Sequence, residues 1–331
     1  MMKQSHAGNQ ARSAWSQYWV LDGAREQRAV GGPRYRGAFE QFWRDELEPE
    51  FDARANLKVL DAACGDGAVT RQCVEIWQGH PDCALELHAT DCSERALASI
   101  EALSLPVDPA LVVADAKALP YAEASFDCVL SQCGLEYAGI EAFAAAARLV
   151  ADGGRLMALV HHDQGLIHQE CGAHHDMLST IDESGVFKQG KALFDLQRLR
   201  DRGEVLPQVV DDAAADLGRE LAGLLAGLDA YPRDGARQHA GRLLQDYSML
   251  CRRHGAYAPD QACQWLDFHQ GALTAFRLRM ESMMAAGQGE AELRQLVAVI
   301  DDAGLRQIET GTLRAADTGE PLAWSLSACA A

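Results

Sequence analysis

The chain has 331 residues, 48 of them acidic and 30 basic, for a formal net charge of −18. That length suffices for one large domain or two modest ones with a buried core, and the negative balance repels phosphate backbones, so nucleic-acid partners are not expected. Apolar residues make up 48% and charged residues 24% of the chain, a globular mix rather than a disordered one, and no uninterrupted apolar run of about 18 residues offers a membrane span.

The opening MMKQSHAGNQARSAW lacks the apolar stretch of a secretory signal. Ten cysteines are scattered without a CxxC pair, so no structural zinc ribbon is expected. They read as reduced thiols of a cytoplasmic protein.

In chain order, the first 50 residues are rich in aromatics: Trp15, Tyr18, Trp19, Tyr35, Phe39, Phe42 and Trp43. Either they pack helices onto the following domain, or residues 1–50 form a helical lid over a ligand. Trp15, Tyr18 and Trp19 share one helical face by spacing. Short apolar runs at Leu57–Leu60, Leu85–Thr90, Ala110–Ala114, Phe126–Ser131 and Gly154–Val160 predict strands. Helices are predicted between them, at Ser93–Leu103, with Ser93 as cap, and at Ile140–Val150. Such alternation implies a parallel sheet with right-handed crossovers.

Beyond His162 the period changes. Residues 163–289 read as helices, most clearly Leu217–Leu228 and Ala272–Met284, punctuated by Pro207, Pro232 and Pro259. Strand character returns at Leu305–Thr312 and Ala323–Ala328, with Gly319 in the turn, as an edge hairpin. The expected organisation is thus an α/β domain of residues 51–162 and 290–331, interrupted by a helical cap or substrate insertion of residues 163–289.

The strongest motif is Val59-Leu60-Asp61-Ala62-Ala63-Cys64-Gly65-Asp66-Gly67, a strand end, a tight turn with two glycines and a following helix. Glycine is required where the backbone bends sharply and approaches a ligand. Asp91 and Asp115 end the next two predicted strands. A carboxylate at the first position can accept from the vicinal hydroxyls of a ribose, and one at the second from an exocyclic amine such as that of adenine. Together the three acidic strand ends outline an adenosine crevice. A dinucleotide site would want a third glycine where Thr70 stands, and Asp61 and Asp66 would repel a pyrophosphate. S-adenosylmethionine, with a sulfonium and an ammonium but no phosphate, suits the acidic loop.

Residues 57–160 resemble the class I S-adenosylmethionine-dependent methyltransferase superfamily in VLDAACGDG (59–67), ATDCSERAL (89–97), ADAKALPYAEASFDCVLSQ (114–132) and ARLVADGGRLMAL (147–159). Asp152 departs from the proline many members carry before the paired glycines. The resemblance implies an α/β, Rossmann-like sheet, mostly parallel with a terminal antiparallel hairpin, carrying a helical insertion. It implies S-adenosyl-L-methionine as cofactor. Gly65 and Gly67 would line its methionine end, Asp91 would hold its ribose and Asp115 with Ala116 its adenine, with Asp61, Ala63 and Cys92 as further cofactor-binding residues. Gln132 would contact cofactor or acceptor, and Tyr18 and Trp19 would close over the sulfonium.

The acceptor side falls at the ends of the fourth and fifth strands, where ligands of open α/β sheets sit. His161 or His162 is the candidate base, expected to titrate near neutrality, with Glu136 as the alternative. Cys133 reads as a packing residue, and His174 and His175 as exposed. His168, Cys171 and His175 could share a helical face, but their spacing is no standard zinc motif, and no metal is expected. The favoured function is in-line methyl transfer to a small-molecule nitrogen or oxygen acceptor by a monomer or homodimer. Modification of protein or RNA, and a silent cofactor-binding role, stay open as alternatives.

Overall fold

A computed structural model of the chain describes residues 32–330. The elements of the first half follow the apolar periodicity: α1 (Gly32–Ala53), β1 (Asn56–Ala62), α2 (Ala68–Trp77), β2 (Ala84–Asp91), α3 (Glu94–Glu101), β3 (Ala110–Val113), β4 (Phe126–Gln132), α4 (Ile140–Arg148) and β5 (Val150–His161). Ser93 caps α3 as expected, its hydroxyl accepting from Ala96 N at 3.3 Å. The largest boundary shift in this half is at β5, which starts at Val150 rather than Gly154, because Val150 already pairs with Phe126 before the register shifts. Gly154 tolerates no side chain there, since a Cβ would lie 2.6 Å from Asp127 O.

Five helices follow: α5 (Leu166–Glu183), α6 (Val186–Asp201), α7 (Pro207–Gly227), α8 (Gly235–Arg252) and α9 (Pro259–Ala285). Pro207 and Pro259 each open a helix, where the missing amide costs nothing. The chain then forms α10 (Glu290–Asp302), β6 (Leu305–Arg314) and β7 (Pro321–Ala330).

All seven strands form one sheet in the order β3-β2-β1-β4-β5-β7-β6. The first five are parallel, and β7 runs antiparallel to both β5 and β6. The expected hairpin therefore forms, with β6 at the edge and β7 against β5. Strand order reverses between β1 and β4, the position where open α/β sheets present a crevice at their carboxyl ends.

Burial explains why the central strands read as continuous apolar runs: both sheet faces are covered. On one face Leu60, Val129, Leu156 and Leu326 pack with Phe143 of α4 and Leu296 and Ile300 of α10. On the other, Val59, Leu130 and Met157 pack with Trp43 and Leu47 of α1 and Val74 of α2. Arg155 of β5 ties α1 down further, donating to Glu46 at 2.6 Å and Glu50 at 3.2 Å.

The described chain divides into two compact units, residues 32–169 with 282–330, and residues 170–281. The second is entirely helical, with Phe187, Phe194, Tyr247 and Leu266 fully buried. Tyr247 Oη donates to Val186 O at 2.6 Å. That hydroxyl occupies the space a side chain at position 190 would need, hence Gly190. Among the described residues no helix is long and apolar enough to cross a membrane.

Candidate active site

At the end of β1 the chain turns through three left-handed residues, Ala63 (φ 56°), Gly65 (φ 54°) and Gly67 (φ 80°). Two of them are glycine, which adopts this region without steric cost. Asp61, 1% exposed, accepts from both Thr70 N (2.9 Å) and Thr70 Oγ1 (2.6 Å) through one oxygen. Its Oδ1 is buried without a partner. Burial pushes the Asp61 carboxyl up to about 7, against the pull of the Thr70 hydrogen bonds and with help from nearby Asp91.

Asp91, at the end of β2, bridges two segments. Its Oδ2 accepts from Gly65 N at 3.0 Å, and its Oδ1 from Ser93 N at 2.8 Å. Burial raises its carboxyl despite those bonds. In the structure this carboxylate, expected to meet a ribose, is a clip joining the glycine turn to the start of α3. Cys92 beside it is exposed. Asp115, two residues past β3, accepts from Lys117 N at 3.0 Å, and the half-buried Ala116 packs against the apolar core.

Gln132 ends β4, and its side-chain oxygen accepts from Trp43 Nε1 at 2.7 Å. That bond carries α1 to the carboxyl end of the sheet. Gly134, missed in the sequence, fits because the turns after β1 and β4 nearly touch. A Cβ there would lie 2.7 Å from Ala63 O and 2.8 Å from Ala63 Cβ. No periodicity signals such a contact between segments 71 residues apart. Tyr18 and Trp19 lie outside the described residues.

The ends of β4 and β5 meet in a buried polar cluster. Glu136 Oε1 accepts from His161 N at 2.9 Å and lies 3.3 Å from His161 Nδ1. On the other side of the ring, His161 Nε2 pairs with Tyr137 Oη at 3.0 Å. Burial opposes charge on His161, but Cys133 and Glu136 outweigh it and raise the imidazole to about 10. This departs from the near-neutral titration expected of His161, because the sequence does not reveal the carboxylate and thiol folded against it. Cys133 is half-exposed, with a left-handed backbone (φ 51°) and its amide donating to Leu159 O at 2.7 Å.

His162 stacks on Trp324 of β7, ring centroids 4.2 Å apart and planes 12° from parallel. Its Nδ1 accepts from Gln164 N at 3.1 Å, and burial lowers its pKa. It is thus neutral at pH 7, with the proton on Nε2. Among the further histidines, His168 adds to the lowering of His162. His174 is buried rather than exposed, bonded to Asp234 at 2.7 Å within the helical unit, and His175 lies 3.6 Å from Asp176.

Comparison with known proteins agrees with this geometry. Residues 59–154, from the glycine turn to the start of β5, match a family described as a methyltransferase domain. Among solved structures, a Bordetella parapertussis protein aligns over 88% of this chain and 66% of its own length, with 14% identity and a TM-score of 0.44. An S-adenosylmethionine-dependent methyltransferase from Mesorhizobium loti aligns over 36% and 56%, with 23% identity and a TM-score of 0.28. One from Clostridium acetobutylicum aligns over 38% and 51%, with 20% identity and a TM-score of 0.32. The chain thus spans between half and two thirds of these structures' own length. No curated protein matches the chain. Over residues 59–154, from the glycine turn to the start of β5, the chain is thus similar to a methyltransferase domain.

Proposed function

We propose that the chain transfers the methyl group of S-adenosylmethionine to a small-molecule nitrogen or oxygen nucleophile. The observation that carries the cofactor side is the carboxylate-lined turn at the β1 and β2 ends. There Asp61 presents a buried, unpartnered oxygen beside a turn of left-handed residues, Ala63, Gly65 and Gly67. A cationic ligand fits such a set, and burial of an unpaired carboxylate oxygen is costly until a donor meets it. Gly65, Gly67 and Ala63 would hold the methionine end with Asp61. Asp91 with Cys92 would hold the ribose, and Asp115 with Ala116 the adenine. Gln132 would stand at the reacting end.

When bound, S-adenosylmethionine supplies an activated methyl on a positively charged sulfur. The chain's own contribution is alignment and the exclusion of water, which can account for ~7–11 kcal/mol of a barrier. For the acceptor, the cluster of Glu136, His161 and Tyr137, with His162 on Trp324, offers polar groups at the β4 and β5 ends. The reading keeps His161, His162 and Glu136 as the residues that hold or activate the acceptor. Residues 163–289, which begin directly after His162, would select it. The formal charge of −18 supports a small molecule over RNA, and the scattered cysteines support a cytoplasmic setting.

The test is turnover of S-adenosylmethionine to S-adenosylhomocysteine by the full chain. It is run against a metabolite panel and, separately, against protein and RNA pools. Turnover confined to metabolites is expected. Turnover confined to a macromolecular pool would refute the acceptor class, and cofactor binding without turnover in any pool would refute the activity.

A further inference from the structure

Three potential metal-ligating side chains converge at the β4 and β5 ends: one ligand atom each of Cys133, Glu136 and His161 lies within 4.8 Å of the others. Two of the three are unsatisfied. Glu136, its side chain 1% exposed, spends Oε1 on His161 N and leaves Oε2 buried without a partner. His161, 7% exposed, leaves Nδ1 without a hydrogen bond. Buried polar atoms of this kind are rare, and each calls for something to meet it. The outer face of His161 is already fixed by Tyr137 Oη at 3.0 Å, the arrangement by which a ligating imidazole is oriented through its second nitrogen. Cys133 is held in a left-handed conformation between the anchored end of β4 and a glycine that cannot be replaced without a clash. Such backbone strain costs about 1–3 kcal/mol and clusters at functional sites.

We propose that Cys133 Sγ, His161 Nδ1 and Glu136 Oε2 ligate a divalent cation, with zinc the best match. They leave a fourth position for the donor atom of the methyl acceptor. A mixed sulfur, nitrogen and oxygen set selects zinc over magnesium or calcium. Three protein ligands with one open position are the pattern of catalytic rather than structural zinc. Ligands about 2.0–2.3 Å from one tetrahedral ion sit roughly 3.5 Å apart, so the cluster needs only a small contraction. The site also answers a question of base chemistry. His162 has its Nδ1 lone pair on Gln164 N, and the His161 ring faces Glu136 and Tyr137, so neither ring shows a nitrogen lone pair turned to an incoming acceptor. A cation lowers the pKa of a coordinated O–H group. The acceptor proton then leaves to solvent, the freed lone pair forms the bond to the methyl carbon, and the carbon–sulfur electrons pass to the sulfonium, which becomes a neutral thioether.

The metal site stands apart from the methyltransferase reading, although the acceptor's place in it rests on that reading; metal and cofactor are therefore measured separately. The full chain is equilibrated with zinc, and in parallel with cobalt, then analysed for bound metal and by absorption spectroscopy. S-adenosylmethionine binding is followed by calorimetry on the same samples. About one zinc per chain is expected, with a sulfur-to-cobalt charge-transfer band. Cys133→Ser should abolish that band and weaken zinc binding by more than ~100-fold, and Tyr137→Phe should weaken it by about 10–100-fold, with cofactor affinity little changed. Cofactor binding by a chain that takes up no stoichiometric zinc or cobalt would overturn the proposal. So would a cobalt spectrum without the sulfur band, or a folded Cys133→Ser variant that keeps its zinc. Should that variant not fold, the native cobalt spectrum decides. Zinc bound by a chain that does not bind S-adenosylmethionine would leave the site standing and refute the methyltransferase reading.

Discussion

Replacing Asp91 by alanine tests how the glycine turn is held. The carboxylate accepts from Gly65 N at 3.0 Å and from Ser93 N at 2.8 Å, so truncation strands two backbone donors on different segments. Ser93 N lies at the buried start of α3, and Gly65 N belongs to the turn that the proposed function gives to the cofactor. A hydrogen bond to a charged acceptor contributes about 1.5–3 kcal/mol. If the clip and the ribose contact both run through this carboxylate, S-adenosylmethionine affinity should fall by that amount, about 13- to 160-fold at 1.36 kcal/mol per decade. Asp91→Asn keeps one acceptor oxygen and should fall between wild type and alanine. Calorimetry gives the affinities, and thermal unfolding in the absence of cofactor gives the cost to the fold. The reasoning fails if the alanine variant melts several degrees lower yet binds the cofactor with unchanged affinity. Asp91 would then be a structural clip and nothing more.

Other substitutions follow from the same geometry. Gly134→Ala places a Cβ 2.7 Å from Ala63 O; backbone cannot yield as a side chain does, so it should destabilise by about 1–3 kcal/mol, read as a drop in melting midpoint, and normal stability would mean the two turns separate freely. Arg155→Ala removes the partner of Glu46 and one of the two partners of the largely buried Glu50, which keeps Arg54; a loss of about 1.5–3 kcal/mol is expected in urea unfolding, and a negligible change would show that apolar packing alone holds α1. Asp61 has a folded pKa near 7 against a usual value of 3.8, so the folded state binds the extra proton. Its contribution is greatest at low pH and is lost as pH rises through about 7, with a slope of at most about 1.4 kcal/mol per pH unit. Asp61→Asn should flatten the stability profile between pH 5 and 8, and an unaltered profile would refute this assignment.

The sheet and the turn after β1 were legible because their determinants are local. Val59 and Leu60 face opposite layers of helices, so both must be apolar, and the run announces a central parallel strand. The turn after β1 needs left-handed residues at fixed positions, and two of them appear as glycines. Asp91 and Asp115 stand at or just past strand ends, which spacing alone locates. What spacing did not reveal was that Asp91 spends both oxygens on backbone amides. Nor did it distinguish an amphipathic helix end from a strand start around Val150, where the pairing with Phe126 decides.

The cluster at the β4 and β5 ends was opaque for the opposite reason. Cys133, Glu136 and His161 come together only because β4 and β5 are parallel neighbours whose ends lie level, Gln132 opposite Leu159. Residues just beyond Gln132 are thereby brought beside residues just beyond Leu159, a juxtaposition that no local motif encodes. A histidine read in isolation suggests a near-neutral base; the same histidine between a carboxylate and a phenol has its proton held by the pair. The run from His168 to His175, by contrast, drew notice through density in sequence, yet His174 is occupied by Asp234 and contributes to the helical unit. Sequence density of ligand types is therefore a weaker guide to chemistry than the register of two neighbouring strands. Here that register sets the unsatisfied Glu136 Oε2 and His161 Nδ1 beside a strained cysteine, and the reactive end of the molecule is better sought there than in the richer histidine run.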